Sequence, residues 1–369
     1  MYYKFIERLH TLYDLLQDKR SKEVFLARFA YDMEPSVSNM SRLALLANPN
    51  KPKFRGWEEP PKDVLKQLNS ENKKIILYGC GSRGLPLAEM LQCANIDFYG
   101  FCDRAAEKFP DGVLGKPVIS PSELVAHGDE YYVMPAVYAI KYIIEIYDYL
   151  RDHNYPEDHI LDWTDEFKFN WEEKQYFEFP ELYRKGTAFI DGGSYDCESS
   201  YKFAKWCGGE YSSIIAFEPD PKCYEMCRKR EQNDPLSNFQ LINAGLSCKE
   251  GTVAFEALGN GGSSIITGRS DPNKTVLVQT TTIDECVKDC TVGFIKFDIE
   301  GAEFDALHGA QNTICRDKPL LAICVYHLRG DTVAIMDYLH QLVPEYRFLL
   351  RHYECLSQLE TVLYASTDL

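Results

Sequence analysis

Twice along this chain a short apolar run ends in a glycine-rich turn and passes into a helical pattern, and few folds accommodate that arrangement. The first instance is Lys74–Tyr78 (KIILY), then Gly79-Cys80-Gly81-Ser82-Arg83-Gly84, then a helix-like LPLAEMLQCA. The second is AFI at 188–190, then Asp191-Gly192-Gly193, then a helix-like SSYKFAKWC. Each opens a series in which strands alternate with helices, the pattern of a mostly parallel sheet covered on both faces. The first series continues through Phe98–Phe101, YYVMPA and YAIKYIIEIYDYLRDH to about Trp163. The second runs through SIIAFEPD, PKCYEMCRKR, FQLINAGLS, VGFIKFDIEG, a helix from Phe304 to Ile314, LLAICVYH and a helix from Thr332. TVAFEAL and TVLVQTTTID interrupt it as a β-hairpin insertion, and YRFLLRHY with ETVLYAS closes it as a hairpin-like pair, which predicts one antiparallel member near the end.

At 369 residues the chain exceeds what one core usually serves. The expected division is an N-terminal helical segment over 1–50, a small Rossmann-like domain over 72–163, and a larger α/β domain over 175–369. Phe5, Leu9, Leu12, Leu15 and Leu16, then Val24, Phe25, Phe29 and Tyr31, carry the helical spacing of the first segment, and NPNKPKFRGWEEPPKD is the linker after it.

A net charge of −16 with no basic run argues against a nucleic-acid partner. No run of about eighteen apolar residues is present, so no membrane span is expected. MYYKFIERLH places charges where a signal peptide needs an apolar core, and thirteen cysteines lack the spacing of a disulfide framework. Both read as reduced thiols in a cytoplasm. Cys223/Cys227 and Cys286/Cys290 stand four apart, without the tight gap of a zinc knuckle, and read as free cysteines.

Gly79, Gly81 and Gly84, with Ser82 and Arg83 between them, form a complete G-x-G-x-x-G fingerprint. Asp103 follows at the end of the next strand, about twenty residues on, placed to accept from a ribose. A bound nucleotide or nucleotide-linked sugar and a ligand-free scaffold both remain open for this domain, and NAD-dependent oxidoreduction rests on it alone.

In the larger domain Asp191, Gly192 and Gly193, with Ser194 and Tyr195 after them, make a turn at a strand's carboxyl end, where a doubly wound sheet binds its ligand. There a carboxylate can meet a cationic amine such as that of S-adenosylmethionine. Glu218, with Pro219 fixing the turn, ends the next strand and can take both ribose hydroxyls. Asn243 and Ala244 follow where an adenine would lie. Lys296, Asp298 and Glu300 alternate with Ile295, Phe297 and Ile299, putting three charges on one side of a strand. That pattern suits an edge strand with a solvated face or a central strand with a polar cleft; the apolar strands flanking it in sequence favour a central, fourth position.

These segments together resemble the FkbM-family methyltransferases: FIDGG, AFEPD, NAGLS, TTTID, GFIKFDIEGAEFDALHGA and ETVLYA, over roughly residues 160–369. SKEVFLARFAYD and the region after Lys73 resemble longer, two-domain members. The resemblance implies a class I Rossmann-like methyltransferase fold, S-adenosylmethionine as donor, and O-methylation of sugars or of natural-product hydroxyls. One departure stands out: the family's D-x-G-x-x-x-G turn carries Cys197 where the last glycine is expected, and its side chain is positioned to narrow the cofactor pocket.

A hydroxyl acceptor must lose its proton during methyl transfer, and histidine suits that role near neutral pH. His327 ends LLAICVYH on the rim that carries Asp298, and is the expected base, with Asp298 orienting it. Lys296 and His352 complete the candidate catalytic set, and Tyr326, Arg351, His352 and Tyr353 are candidate acceptor contacts. A divalent metal on Asp298, Glu300 and His327 is open but not expected. The acceptor is expected to be a small molecule or glycan, a nucleotide-linked sugar among the candidates. O-methylation of a polyketide or peptide and a non-catalytic, degenerate binding fold are the alternatives, and a homo-oligomer is left open.

Overall fold

The computed structural model describes residues 2–36, 39, 42–43, 46, 60–81, 83–93, 95–128, 130–137, 140–161, 174–259, 263–265, 275–354 and 358–369. Much of the expected linker, and Ser82 of the first glycine turn, lie outside these. The chain divides into two compact units, one of Met1–Met33, Lys174–His352 and Leu359–Leu369, the other of Glu34–Glu173 and Tyr353–Gln358.

In the smaller unit β1 (Lys74–Tyr78), β2 (Gly100–Cys102), β3 (Val118–Ile119) and β4 (Tyr131–Pro135) form a parallel sheet ordered β3-β2-β1-β4. Helices α1 (Tyr2–Asp14) and α2 (Lys19–Met33) belong to the larger unit, whereas α3 (Pro60–Ser70), α4 (Gly84–Cys93), α5 (Pro121–Ala126) and α6 (Ile140–Asp152) lie in the smaller. A Cβ on Gly84 would stand 1.9 Å from the Gly79 carbonyl oxygen, so this glycine allows α4 to start directly against the β1 turn.

The larger unit is built on β5 (Ala188–Gly192), β6 (Ile214–Phe217), β7 (Phe239–Ile242), β12 (Val292–Phe297), β13 (Leu320–Cys324), β14 (Arg347–His352) and β15 (Thr361–Ser366). Their order is β14-β15-β13-β12-β5-β6-β7, with β15 antiparallel to both of its neighbours. This is an α/β fold with a parallel-dominated sheet and one reversed strand near the end, as the strand pattern predicts. Every residue of β5, β12 and β13 is buried, as the near-continuous apolar runs of a sheet covered on both sides require. Helices α7 (Glu198–Trp206), α8 (Pro221–Asn233), α9 (Ile283–Cys286), α10 (Glu303–His308), α11 (Gln311–Asp317) and α12 (Asp331–Leu342) complete the unit.

A second sheet, ordered β10-β9-β11-β8, comprises β8 (Gly245–Leu246), β9 (Gly251–Glu256), β10 (Ser264–Ile265) and β11 (Thr275–Thr281). Its β9–β11 antiparallel pair is the hairpin insertion read from the sequence.

The N-terminal helices close the free edge of the large sheet. Gln17 N donates to the Phe348 carbonyl at 3.0 Å, and Phe348 N donates to that of Leu15 at 3.2 Å. Leu12, Leu16, Val24 and Phe25 are buried, and the Ser21 hydroxyl accepts from Leu350 N at 2.9 Å. Arg351, read as an acceptor contact, is instead a buried clamp. It donates to Asp18 at 2.6 Å, Glu178 at 2.9 Å and the Ser21 hydroxyl at 2.9 Å. Further along α2, Asp32 accepts from Gly330 N at 3.1 Å, and the fully buried Arg28 pairs with Asp32 at 2.9 Å. Helix α2 thus braces the loop that follows β13.

Candidate active site

In the large sheet the strand order reverses between β5 and β12, and the crevice outside their carboxyl ends is where such folds bind ligands. The turn after β5 and the loop after β12 meet there. Gly193 has φ +75°, and a Cβ on it would lie 1.9 Å from the Asp298 carbonyl oxygen. Only glycine permits both the left-handed backbone and that approach.

Beside these loops lies an open cleft of about 740 Å³, its mouth included, walled by Gly193, Tyr195, Glu218, Ala244, Asp298 and Glu300 among others. Glu218 is buried and accepts from Tyr195 N and Asp220 N, each at 2.8 Å. Burial pushes its carboxyl up to about 7, against the pull of those two backbone donors. Each oxygen keeps a second lone pair for a ligand hydroxyl. Pro219 and Ala244 line the same wall, while Asn243 is exposed and donates its amide to the Glu218 carbonyl at 2.8 Å.

Asp191 does not reach the cleft as expected. It is fully buried, accepts from the hydroxyls of Ser199 and Ser200 at 2.6 Å each, and forms an ion pair with Lys296 at 3.2 Å. Lys296 also leaves the expected catalytic set. Its Nζ donates to the carbonyls of Gly192 at 3.1 Å and Gly193 at 2.6 Å, pinning the turn from below. The alternating charges of 296–300 therefore do not share one environment. The strand ends at Phe297 with Lys296 inside it, and only Asp298 and Glu300, on the loop beyond, face the cleft. Ser194 is buried behind the turn, with its hydroxyl on the Phe217 carbonyl at 3.3 Å.

Cys197 takes the left-handed conformation, φ +63°, that a glycine would supply. Its side chain is wholly buried, and the cleft wall does not include it. The neighbouring Cys227 thiol and burial together raise the Cys197 thiol, so it is a neutral packing group rather than an obstacle to the cofactor.

Asp298 and Glu300, on the wall of the same cleft, belong to a polar cluster around His327. Its Nδ1 donates to Glu303 at 2.8 Å, and its Nε2 lies 3.5 Å from both an Asp298 and a Glu300 oxygen. Glu303, fully buried, also accepts from Ile299 N and Gly301 N at 3.0 Å each. Asp298 accepts in addition from the hydroxyls of Tyr176 at 2.8 Å and Tyr326 at 3.2 Å. Burial would lower the imidazole, but Glu300, Glu303 and Asp298 outweigh it and push His327 up to about 11. Among these carboxylates alone it is an imidazolium, which corrects the expectation of a neutral base.

His352 is also misplaced as a catalytic residue. It is fully buried in the edge strand β14, with Nδ1 2.8 Å from the Thr361 hydroxyl. Glu303 and Asp220 were missed. Glu303 was legible in the E-G-A-E spacing, and Asp220 in the Asp-Pro that starts α8. The latter caps that helix through Lys222 N at 2.8 Å and holds Gly259 N and the Ser263 hydroxyl at 2.9 and 2.7 Å.

In the smaller unit Asp103 stands beside the glycine turn but is folded onto it. It accepts from Cys80 N at 3.1 Å, the Cys80 thiol at 3.2 Å and Ala105 N at 2.9 Å. Gly79 has φ +118°, Arg83 is buried, and Gly81 has open space around its Cα.

Comparison with known proteins decides the class of the larger unit, because residues 188–350 match the model of the methyltransferase FkbM domain. Residues 188–350 form an FkbM methyltransferase domain. Its activity is S-adenosylmethionine-dependent methyl transfer. Methyltransferase FkbM from Methylobacillus flagellatus KT is 19% identical, with a TM-score of 0.45 over 90% of this chain and 99% of that one. A methyltransferase from Streptococcus mutans in complex with SAH is 13% identical, with a TM-score of 0.36 over 53% and 96%. An rRNA methylase from Streptococcus thermophilus is 15% identical, with a TM-score of 0.34 over 51% and 91%. No curated protein matches the chain. Among the described residues of this FkbM-domain protein, no helix is long and apolar enough to cross a membrane.

Proposed function

We propose that this protein methylates a hydroxyl oxygen of a carbohydrate or nucleotide-linked sugar. The observation that carries the reading is one cleft whose wall holds two chemically distinct groups: Glu218, among apolar and glycine positions, and the Asp298–Glu300 pair with His327 against it. Glu218 accepts the ribose hydroxyls of S-adenosylmethionine, and Ala244 lies along its adenine. The backbone of Gly193 to Tyr195 approaches the amino-acid end.

The acceptor sits at the Asp298–Glu300 pair. A lone pair of its oxygen forms the new O–C bond, the S–C bond breaks with its electrons going to sulfur, and the hydroxyl proton passes to the Asp298–Glu300 pair. The Tyr176 and Tyr326 hydroxyls, both donated to Asp298, hold that carboxylate in place toward the acceptor. The reaction needs alignment more than covalent help from the protein.

The test is transfer of a radiolabelled methyl group from S-adenosylmethionine to a panel of sugars and nucleotide-linked sugars, followed by mild base. A base-stable label on a sugar supports an ether product. A base-labile label, or one carried only by amine acceptors, overturns the reading.

A further inference from the structure

The cluster around His327 is arranged in a way that a proton acceptor alone does not need. Glu303 receives the Nδ1 proton at 2.8 Å and holds the backbone on both sides of Glu300 through Ile299 N and Gly301 N. One buried carboxylate therefore fixes the ring's orientation, its tautomer and the loop that presents the second acid. Glu300 itself is held at φ +54°, a left-handed conformation that costs a non-glycine residue about 1 kcal/mol or more. Nε2 makes no hydrogen bond although the imidazole side chain is only 7% exposed, and it points between Asp298 and Glu300.

We propose that Asp298, Glu300 and Nε2 of His327 bind a divalent cation of the Mg²⁺ or Mn²⁺ class, which holds the acceptor oxygen in the cleft; the catalytic part of this proposal rests on the O-methylation reading above. One ligand atom from each residue lies within 4.8 Å of the others, and the two Nε2–carboxylate separations are 3.5 Å. Adjacent ligands of an octahedral ion at about 2.1 Å from the metal stand about 3 Å apart, so a small contraction completes three sites. Two carboxylates and one imidazole suit a hard or borderline ion, and a carboxylate behind the imidazole is the usual support of a metal-bound histidine.

Asp298 is oriented by the Tyr176 and Tyr326 hydroxyls, so its geometry does not depend on the ion. Asp298 and Glu300 belong to the same cleft wall as Glu218, which puts the ion within the methyl-transfer cleft. There it would lower the pKa of a coordinated hydroxyl and so ease passage of its proton to a free oxygen of the Asp298–Glu300 pair as the O–C bond forms.

The experiment uses the full chain, freed of metal by chelator and dialysis, titrated with Mn²⁺ and followed by loss of the free-ion signal in electron paramagnetic resonance. One bound Mn²⁺ per chain is expected. Affinity should fall at least tenfold in Glu300→Gln, which alters a partly exposed side chain, and in His327→Ala. Glu303→Gln should weaken binding by about ten- to a hundredfold through the imidazole. Calorimetry with S-adenosylhomocysteine on the same samples reports whether each variant keeps its fold and donor site. No Mn²⁺ binding, or equal binding in wild type and Glu300→Gln, overturns the cation site and leaves the O-methylation reading standing. Mn²⁺ binding with the methyl group found on an acceptor other than a hydroxyl overturns that reading and leaves the cation site standing.

Discussion

Glu218 sits where chemistry and burial oppose each other, and its behaviour with pH follows from that. Its folded-state carboxyl is raised from 4.5 to about 7 by burial. The stability it contributes is complete below the unfolded value and is lost as pH rises through about 7. Ribose hydroxyls donate to the anion, so donor binding runs the opposite way. S-adenosylhomocysteine affinity measured by calorimetry should rise about tenfold from pH 6 to pH 8. Glu218→Gln should bind more weakly and without that slope. Lys296 makes a different prediction, since it is buried against Asp191 and two carbonyls. Lys296→Met leaves a buried carboxylate uncompensated and should cost about 3–5 kcal/mol in urea denaturation. A small loss would mean that the pair does not anchor the turn. At Cys197, glycine would relieve about 1 kcal/mol of left-handed backbone and remove a thiol of similar packing value. Cys197→Gly should therefore keep S-adenosylhomocysteine affinity within about threefold, because the thiol lies behind the turn. A larger change would put the side chain back in the pocket.

Between elements, the decisive contact is that of the β5 turn with the loop after β12. Gly193→Ala would place a methyl group on the Asp298 carbonyl, and S-adenosylhomocysteine binding should fall more than tenfold. Unchanged binding would show that the loops separate freely. Element types and strand sequence were legible because parallel strands buried on both faces leave long apolar runs, as in β5, β12 and β13. Glu218 was legible for the same reason: it is the first polar residue after the apolar run of β6. What periodicity misread was where β12 ends. Lys296, Asp298 and Glu300 alternate as if on one strand face, but the strand stops at Phe297, so the lysine is buried and the acids are on a loop. Histidines were misread because spacing gives no charge environment. His327 and His352 look alike as strand-end residues, yet one meets three carboxylates and the other a threonine hydroxyl.

Across the larger unit, residues far apart in sequence share one structure. Helices α1 and α2 cover the β14 edge and brace the loop after β13. Removing residues 1–33 should bare the main-chain groups of β14, unpair Arg351 from Asp18 and promote edge-to-edge association. Size-exclusion chromatography should show aggregates and scanning calorimetry a lower Tm. A monomeric fragment with unchanged Tm would contradict this. Ser21 and Leu350 are 329 positions apart, and synthesis at 5–20 residues per second takes roughly 15–65 s to cross that interval. Helices α1 and α2 therefore wait, without the β14 edge they cover, until some 329 further residues have been made. A chaperone that holds such a segment during translation should raise the yield of this protein more than one that acts after release.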